Sequence, residues 1–442
     1  MSNDVAGELL DRSARCVDEG EYEGPASVSP IDGRLAELGD GLALVTSFSH
    51  VIAVGDGDGL ALVDTSSEAL APRAQTALRT WSGAPVTTMI YTHGHVDHVG
   101  GARLFRDEAL AAGGQRPRVV AHEAVARRFA RYDLTHGYNA LINARQFRRR
   151  SQLGVGQGDW PWDWVLPGTT FSDRMTLRLG DEVVELRHAL GETDDHAWLW
   201  MPERRAVCAG DFLTWVFPNA GNPQKVQRYP VEWARALREM AALRPELLLP
   251  AHGLPIAGER RIARVLDDVA SALESLVAQT LEQMNAGARL DDVVRSVRLP
   301  GELAERPYLR ATYDEPEFVV RNIWRLYGGW WDGDPAHLKP AGAAELAAEL
   351  AGLAGGADML ASRAAELAAA GDHRLACHLA ELATQAAPSS AACHGVRAQV
   401  YRARRDSELS LMARGIFAAA ADESERRTGG EEGAQSSRGT EQ

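Results

Sequence analysis

The most informative stretch of the chain is T-H-G-H-V-D-H-V-G-G, residues 92–101, which packs three imidazoles and one carboxylate into six consecutive residues. The β-branched run P-V-T-T-M-I-Y-T leads into it and predicts a strand, so the cluster lies on the loop after that strand. By composition such a cluster arises in roughly one chain in a thousand. Alternation on an extended segment sends His93 and His95 to one side. Asp97 and His98 then reach a second point, so one loop can hold two cations about 3.5 to 4 Å apart.

A loop of this kind needs ligands from elsewhere in the chain to complete two metal sites. Three candidates stand where predicted strands end: Glu192 in G-E-T-D-D-H, Asp211 in C-A-G-D-F and His252 in L-L-P-A-H-G. Their placement at strand ends in the same predicted domain makes them candidates for one shared site. Four histidines and three carboxylates suit two divalent ions, with zinc expected and manganese or iron as alternatives.

The order of predicted elements indicates an α/β fold followed by an all-α region. Short β-rich runs and helical periods alternate over residues 36–262, as an αβ/βα sandwich of two mixed sheets would require. Residues 263–421 are almost wholly helical, with alanine and leucine at helical spacing. Residues 1–35 show no sustained period and predict an arm on the surface of a domain. Residues 422–442 lack large apolar side chains and predict a disordered tail.

Composition and charge argue against several classes of protein. Hydrophobic residues make up 45% and charged residues 24% of the 442 residues, as is typical of globular proteins. The formal charge of -14 argues against a nucleic-acid binder, which needs clustered cations. No apolar run approaches the roughly 20 residues that span a bilayer, and the amino terminus lacks a signal-like pattern, so we expect a cytoplasmic protein with no membrane partner. Four scattered cysteines indicate free thiols.

The candidate ligands carry a resemblance to a known family. The motif at residues 92–101, the acid after a strand at Asp211 and the late His-Gly at His252 resemble the metallo-β-lactamase superfamily over residues 36–262. Most members have a histidine in a G-H-T motif where this chain has Glu192 in G-E-T, and a glutamate there resembles the alkyl sulfatase branch. The resemblance implies a metallo-β-lactamase sandwich and a binuclear metal-dependent hydrolase.

The helical region resembles the alkyl sulfatase dimerisation domain. It carries R-P-Y-L-R-A-T-Y, F-V-V-R-N-I-W-R-L-Y-G-G-W-W-D-G-D-P-A-H-L-K-P and E-L-A-G-L-A-G-G-A-D. The resemblance implies a homodimer formed through residues 263–421. No segment that resembles the sterol-carrier-like C-terminal domain of the branch follows, so the resemblance does not extend to a detergent-like substrate.

The pattern of the branch, carried over residue by residue, implies how the seven ligands divide between the two metals. One metal takes His93, His95 and Glu192, the other takes Asp97, His98 and His252, and Asp211 bridges them. Alkyl sulfatases carry a glutamate at the bridging position, so the aspartate at 211 is a departure from the branch. Asp97 and Asp211 are thereby also catalytic candidates.

The resemblance also places substrate-binding residues. Asn219 and Lys225 match residues that grip the sulfate in the branch, and Lys225 is a catalytic candidate that holds the departing group. The arginine of the branch has no match here, and Arg228 is the candidate substitute. Tyr138 and Asn139 lie in the segment where the family lines its substrate pocket. The alternative is that the lysine and the arginine are solvated charges on a loop.

Three functions follow as hypotheses. The resemblance implies hydrolysis of an alkyl or aryl sulfate ester to alcohol and sulfate, with a metal-bound water or hydroxide as nucleophile. The same scaffold supports hydrolysis of another ester, a lactone or a phosphoester, and the fold alone does not separate these reactions. A non-enzymatic dimeric binding protein is the third hypothesis, against which the full set of candidate ligands argues. For either of the two hydrolase hypotheses, the expected binding partner is a small anionic ester as substrate.

Overall fold

The computed structural model describes residues 2–147 and 163–436. Its described residues form two compact units, the first over 2–143 and 163–330 and the second over 144–147 and 331–436. The first unit holds both β-sheets, and every described strand belongs to it.

The first sheet has seven strands that lie side by side in chain order. They are β1 (Leu35–Gly39), β2 (Leu42–Val45), β3 (Val51–Asp56), β4 (Gly59–Val63), β5 (Val86–Ile90), β6 (Arg118–His122) and β7 (Thr169–Phe171). Strands β1 to β4 form an antiparallel meander, whereas β4 to β7 run parallel. The meander turns at Gly41 and Gly57, whose φ angles of 67° and 59° glycine adopts without strain.

The second sheet has six strands in the order β13-β12-β11-β10-β9-β8. They are β8 (Arg174–Leu179), β9 (Glu182–His188), β10 (Ala197–Met201), β11 (Ala206–Gly210), β12 (Leu247–Pro250) and β13 (Ile256–Ala257). Only the β11–β12 pair is parallel, because helix α8 (Pro230–Ala242) crosses over between those two strands.

The two sheets pack face to face. Leu44 and Ile52 of the first sheet and Leu186, Leu199 and Cys208 of the second belong to one buried cluster. Because side chains alternate between the two faces of a strand, these residues point into the space between the sheets. The residues next to them in sequence face the helices outside. The predicted αβ/βα sandwich followed by a helical region is therefore confirmed.

Helices cover the outer faces of both sheets. Those of the first unit, besides α8, are α1 (Ser2–Glu19), α2 (Pro25–Val28), α3 (Ala71–Trp81), α4 (Val96–Val99), α5 (Ala102–Ala111), α6 (Ala124–Leu134), α7 (His136–Phe147), α9 (Glu259–Asn285), α10 (Leu290–Ser296), α11 (Gly301–Ala304), a 3-10 turn (Pro307–Leu309) and α12 (Pro316–Gly328). No described helix is both long and apolar enough to cross a bilayer.

The compact units divide at residue 330, within the segment that the sequence analysis assigns to one helical domain. Helix α9 packs against α8 because its apolar stripe, Ile262, Val265 and Leu266, joins the cluster that covers the second sheet. The helical pattern itself does not reveal which core a helix joins. The predicted domain limits stay predictions.

The predicted arm contains helix α1, which the sequence analysis does not anticipate. Leu9, Cys16 and Val17 are buried in the same cluster as Ile262, and the Asp18 carboxylate pairs with the guanidinium of Arg261 at 2.6 Å. The packing of helix α1 therefore depends on residues far away in the sequence, which the local pattern of residues 1–35 does not reveal.

The second unit consists, in its described residues, of the end of α7 and a succession of helices. These are α13 (Pro335–Leu338), α14 (Ala343–Ala354), α15 (Ala357–Ala369), α16 (His373–Ala386), α17 (Ala391–Asp406) and α18 (Leu411–Ser436). Helix α18 enters the stretch predicted to be a disordered tail, because Ser424 is fully buried and accepts a 2.7 Å hydrogen bond from Arg397 Nη1. Residues 437–442 lie outside the described residues.

Candidate metal centre

The His-Asp cluster lies between the end of β5 and helix α4. Asp64 fixes the start of this loop, because its carboxylate accepts hydrogen bonds from the Thr92 N–H and from the Thr92 hydroxyl, at 2.8 Å each. The same carboxylate is 2.7 Å from His98 Nδ1, which leaves His98 Nε2 directed at the candidate site. Asp64 has a φ of 57°, which an aspartate adopts only at some cost. Sequence reasoning missed this residue, although an acid directly after the predicted strand G-L-A-L-V was a usable signal.

The structure brings all seven predicted ligands into two adjacent groups. In each group the candidate ligand atoms lie within 4.8 Å of one another, and the members are His93, His95, Glu192 and Asp211 in one and Asp97, His98 and His252 in the other. The two Asp211 oxygens face different groups, with Oδ2 3.8 Å from His93 Nε2 and Oδ1 3.4 Å from both His98 Nε2 and His252 Nε2. This arrangement fits a bridging carboxylate.

The distances around the second group and Asp211 fit ligands of a common ion better than hydrogen bonds, whereas His93 Nε2 and His95 Nδ1 of the first group lie 2.8 Å apart, at hydrogen-bond distance. Tetrahedral coordination at about 2.0 to 2.1 Å places neighbouring ligand atoms about 3.3 Å apart. Besides the Asp211 contacts, His252 Nε2 lies 3.5 Å from Asp97 Oδ2, and His98 Nε2 lies 3.6 Å from it. His98 Nε2 and Asp211 Oδ1 are buried and have no hydrogen-bond partner among the described residues. Orphaned atoms of this kind fit a site for divalent cations.

The pKa shifts that the protein's own groups cause also indicate a site for cations. Burial disfavours the charged form of His252, yet Asp211 and Asp97 outweigh it and raise its pKa to about 10. Burial also opposes charge on His98, and the carboxylates of Asp211 and Asp64 nevertheless raise its pKa. Burial raises the pKa of Glu192 to about 7. The carboxylates therefore recruit positive charge, which divalent cations would supply.

Two predicted substrate residues contact a predicted ligand. Arg228 is 2% exposed, and its Nη1 lies 2.6 Å from Glu192 Oε1 and donates to the Glu192 carbonyl at 2.8 Å. Asn219 Nδ2 donates to the same carboxylate oxygen. The structure therefore places Arg228 behind Glu192, where its charge is neutralised by a buried salt bridge.

Lys225 is bonded differently. Its Nζ donates to Asn143 Oδ1 at 2.7 Å, and no salt bridge joins it to a carboxylate in the described part of the chain. Burial, followed by the nearby Arg228, lowers the pKa of Lys225 to about 7, while Glu192 and Asp97 favour its charge. A cation without a carboxylate partner beside the ligands is suited to an anion.

The two predicted pocket residues on α7 are not joined to the ligands by any described contact. Tyr138 is 59% exposed, and Asn139 Nδ2 donates back to the carbonyl and the hydroxyl of Thr135. Asn143, one turn further along α7, is the residue that contacts Lys225. A substrate role for Tyr138 and Asn139 stays a prediction.

Other residues near the site escaped sequence reasoning. Asp195 Oδ2 accepts the Gly94 N–H at 3.0 Å and Arg128 Nε at 2.8 Å, which fixes the His-Gly-His backbone. Burial, followed by Glu192 and Asp97, raises the pKa of Tyr313. The available signal for Tyr313 was its position at the end of R-P-Y-L-R-A-T-Y.

Two family models match the chain. A model described as the metallo-beta-lactamase superfamily matches residues 44–252, and one described as alkyl sulfatase dimerisation matches residues 289–427. The chain thus carries a metallo-beta-lactamase region followed by an alkyl sulfatase dimerisation region. Sequence analysis predicted this combination, and the two matches confirm it.

Relatives of this branch cover much of the chain. A linear primary-alkylsulfatase of Pseudomonas sp. (strain ATCC 19151) is 28% identical, over 77% of this chain and 66% of its own length. An (R)-specific secondary-alkylsulfatase of Pseudomonas sp. is 26% identical, over 67% of this chain and 47% of its own. The chain thus spans between about half and two thirds of these alkyl sulfatases.

A solved structure of the branch shares the fold. The stereoselective inverting sec-alkylsulfatase Pisa1 from Pseudomonas sp. superimposes with a TM-score of 0.80 at 21% identity, covering 96% of this chain and 70% of that one. The sandwich and the helices that follow it are therefore the architecture of an alkyl sulfatase.

Proposed function

We propose that the protein is a binuclear metal-dependent hydrolase that cleaves an alkyl or aryl sulfate ester into alcohol and sulfate. The observation that carries the proposal is the pair of ligand groups that share Asp211, with the cation of Lys225 beside them. The names of the relatives, which are alkylsulfatases, support the sulfate ester as substrate.

We propose two divalent ions, most simply zinc, because imidazole nitrogens and carboxylate oxygens are its usual ligands. When bound, they would supply an activated water and positive charge at the ester. Two such ions against Asp97, Glu192 and Asp211 leave about one positive charge, so the ligand set by itself attracts an anion only weakly. A separate cation from the protein is therefore needed to hold the sulfate.

The candidate residues have separate roles in the proposed reaction. Lys225 holds the sulfate through a charge-assisted hydrogen bond and orients the carbon–oxygen bond toward the ligand groups. Asp97 and Asp211 present carboxylate oxygens where the attacking water lies, and can accept hydrogen bonds from it. Arg228 and Asn219 fix the carboxylate of Glu192. Sulfate is a weakly basic leaving group and needs little protonation as it departs.

Turnover of a substrate panel tests the proposal. We expect hydrolysis of a sulfate monoester in preference to a phosphoester and a lactone, together with close to two metal ions per subunit. A chelator should abolish the reaction, and added metal should restore it. Protein that holds two ions and hydrolyses the phosphoester or the lactone but no sulfate ester would contradict the substrate, and one ion or none would contradict the binuclear centre.

The bond that breaks can be read from hydrolysis in ¹⁸O-labelled water. We expect the label in the alcohol, because water attacks carbon, the carbon–oxygen bond breaks and the bonding electron pair leaves with the sulfate. Mass spectrometry of both products measures the label. Label in the sulfate would show attack on sulfur and contradict this path.

A second candidate is hydrolysis of another ester, a lactone or a phosphoester on the same scaffold. It is favoured by the salt bridge between Arg228 and Glu192, because that bridge engages the candidate substitute for the missing arginine of the branch. Anion binding then depends on one lysine. The substrate panel separates this candidate from the first.

We also propose a homodimer formed through the helical region. The match to the dimerisation model supports it, and the second unit exposes apolar side chains that a partner copy could cover, among them Leu346, Leu353 and Met359. Light scattering at micromolar concentration is expected to give twice the chain mass of 47.9 kDa. The mass of a single chain would contradict the dimer. Cytoplasmic localisation stays a prediction.

A further inference from the structure

The loop between β11 and α8 carries Asn219, Lys225 and Arg228, and it has few hydrogen bonds of its own. Its backbone lies directly on the first turn of α12. A Cβ atom at Gly221 would come within 2.3 Å of the Phe318 and Val319 backbone, so only glycine allows this approach. The loop and α12 are therefore packed backbone to backbone.

Asp314 holds the first half of this loop. Its side chain is fully buried, and Oδ2 accepts the Gly221 N–H at 2.6 Å while Oδ1 accepts the Glu315 N–H at 2.8 Å. No salt bridge joins Asp314 to a cation in the described ranges. A buried carboxylate is costly, and here its main compensation is hydrogen bonds from backbone N–H groups, among them those of Gly221 and Asn222 in the loop.

Asn322, on the same helix, holds the other end of the loop. Its Oδ1 accepts the Arg228 N–H at 3.3 Å, and its Nδ2 donates to the Arg228 carbonyl at 3.0 Å. The side chain is 4% exposed. It thus bonds both polar groups of the Arg228 backbone, as a neighbouring strand would, and Arg228 in turn holds Glu192.

We propose that Asp314 and Asn322 are positioning residues that clamp residues 219–228 at two points, so that Lys225 and the Arg228–Glu192 pair are held in place for an anionic substrate. The anion rests on the proposed function, whereas the clamp itself is independent of it. Neither residue is joined by a described hydrogen bond or salt bridge to a candidate metal ligand. Both act on the site through the loop alone.

Asp314→Asn tests the first point of the clamp. The amide keeps the shape of the carboxylate, but its NH₂ group must face at least one of the backbone N–H groups that the carboxylate bonds, so that at least one hydrogen bond is lost. We expect faster amide hydrogen exchange in peptides covering residues 217–229, and a dissociation constant for inorganic sulfate that rises roughly tenfold. Metal content per subunit should stay unchanged. Asp372→Asn is the matched control, because Asp372 caps helix α16 in the second unit.

Asn322→Asp tests the second point and keeps the experiment informative if Asp314→Asn folds poorly. An oxygen then replaces the donor to the Arg228 carbonyl, so exchange should accelerate mainly toward residue 228.

A purely structural role would lower the unfolding temperature while the folded protein kept its sulfate affinity, and that result would overturn the positioning role. Unchanged exchange in both folded variants would overturn the clamp. If the wild-type protein neither binds sulfate nor cleaves a sulfate ester, the proposed function fails, and the exchange measurement still decides the clamp.

Discussion

Lys225→Ala is expected to lower turnover of a sulfate ester by about a hundred- to a thousandfold, the usual loss when one donor to a developing anion is removed. The reason is that Lys225 has no carboxylate partner in the described ranges, whereas the neighbouring Arg228 is committed to Glu192. Of the two cations among the predicted substrate residues, only Lys225 therefore lacks a carboxylate partner in the described residues. Metal analysis of the variant should give the wild-type stoichiometry.

The matched control is Lys339→Ala, because Lys339 is the only other lysine and lies exposed in the second unit. It should leave turnover unchanged. The pH dependence gives a further check, since burial lowers the pKa of Lys225 to about 7. The ammonium is charged below that pH, so sulfate should bind more weakly as the pH rises through about 7. In Lys225→Ala this pH dependence should vanish, and a variant with undiminished turnover would contradict the role given to the lysine.

Asp211→Asn is expected to lower both metal affinity and turnover by more than about a hundredfold. Loss of an outer partner of a ligand typically costs 10- to 100-fold, and Asp211 faces both ligand groups directly. An amide has no negative charge to offset two cations, and its nitrogen cannot serve as a ligand. Both sites should therefore weaken together.

Asp181→Asn, in an exposed turn between β8 and β9, is the control that makes the same chemical change in the same unit. Elemental analysis after dialysis, followed by a turnover assay at saturating metal, separates loss of ions from loss of reaction. Retention of two ions with wild-type turnover would show that Asp211 does not bridge.

The grouping of the candidate metal ligands was predictable because most of them are close together in the sequence. His93, His95, Asp97 and His98 lie within six residues, so a single loop conformation brings them together. The remaining ligands follow strands, and the ends of strands are among the few positions that a pattern of hydrophobic residues locates well. Fold class followed from the same alternation of strands and helices.

What could not be predicted depends on distant partners. Nothing in the local pattern around Arg228 indicates a carboxylate 36 residues away, so its salt bridge with Glu192 was missed. The burial of α1 and of α9 was not predicted for the same reason. The apolar residues of an amphipathic helix have the same spacing whichever core the helix joins.

The packing of α9 to α12 has a consequence for how this protein can change in evolution. The stretch that resembles a dimerisation module begins before residue 290, yet its first forty or so residues fold with the sandwich and supply Tyr313, Asp314 and Asn322. A recombination event that replaced this stretch whole would remove the anchors of the loop that carries Lys225. A junction near residue 330 would leave the site intact, whereas a junction near residue 289 would not, so residues 289–330 are expected to be inherited together with the sandwich.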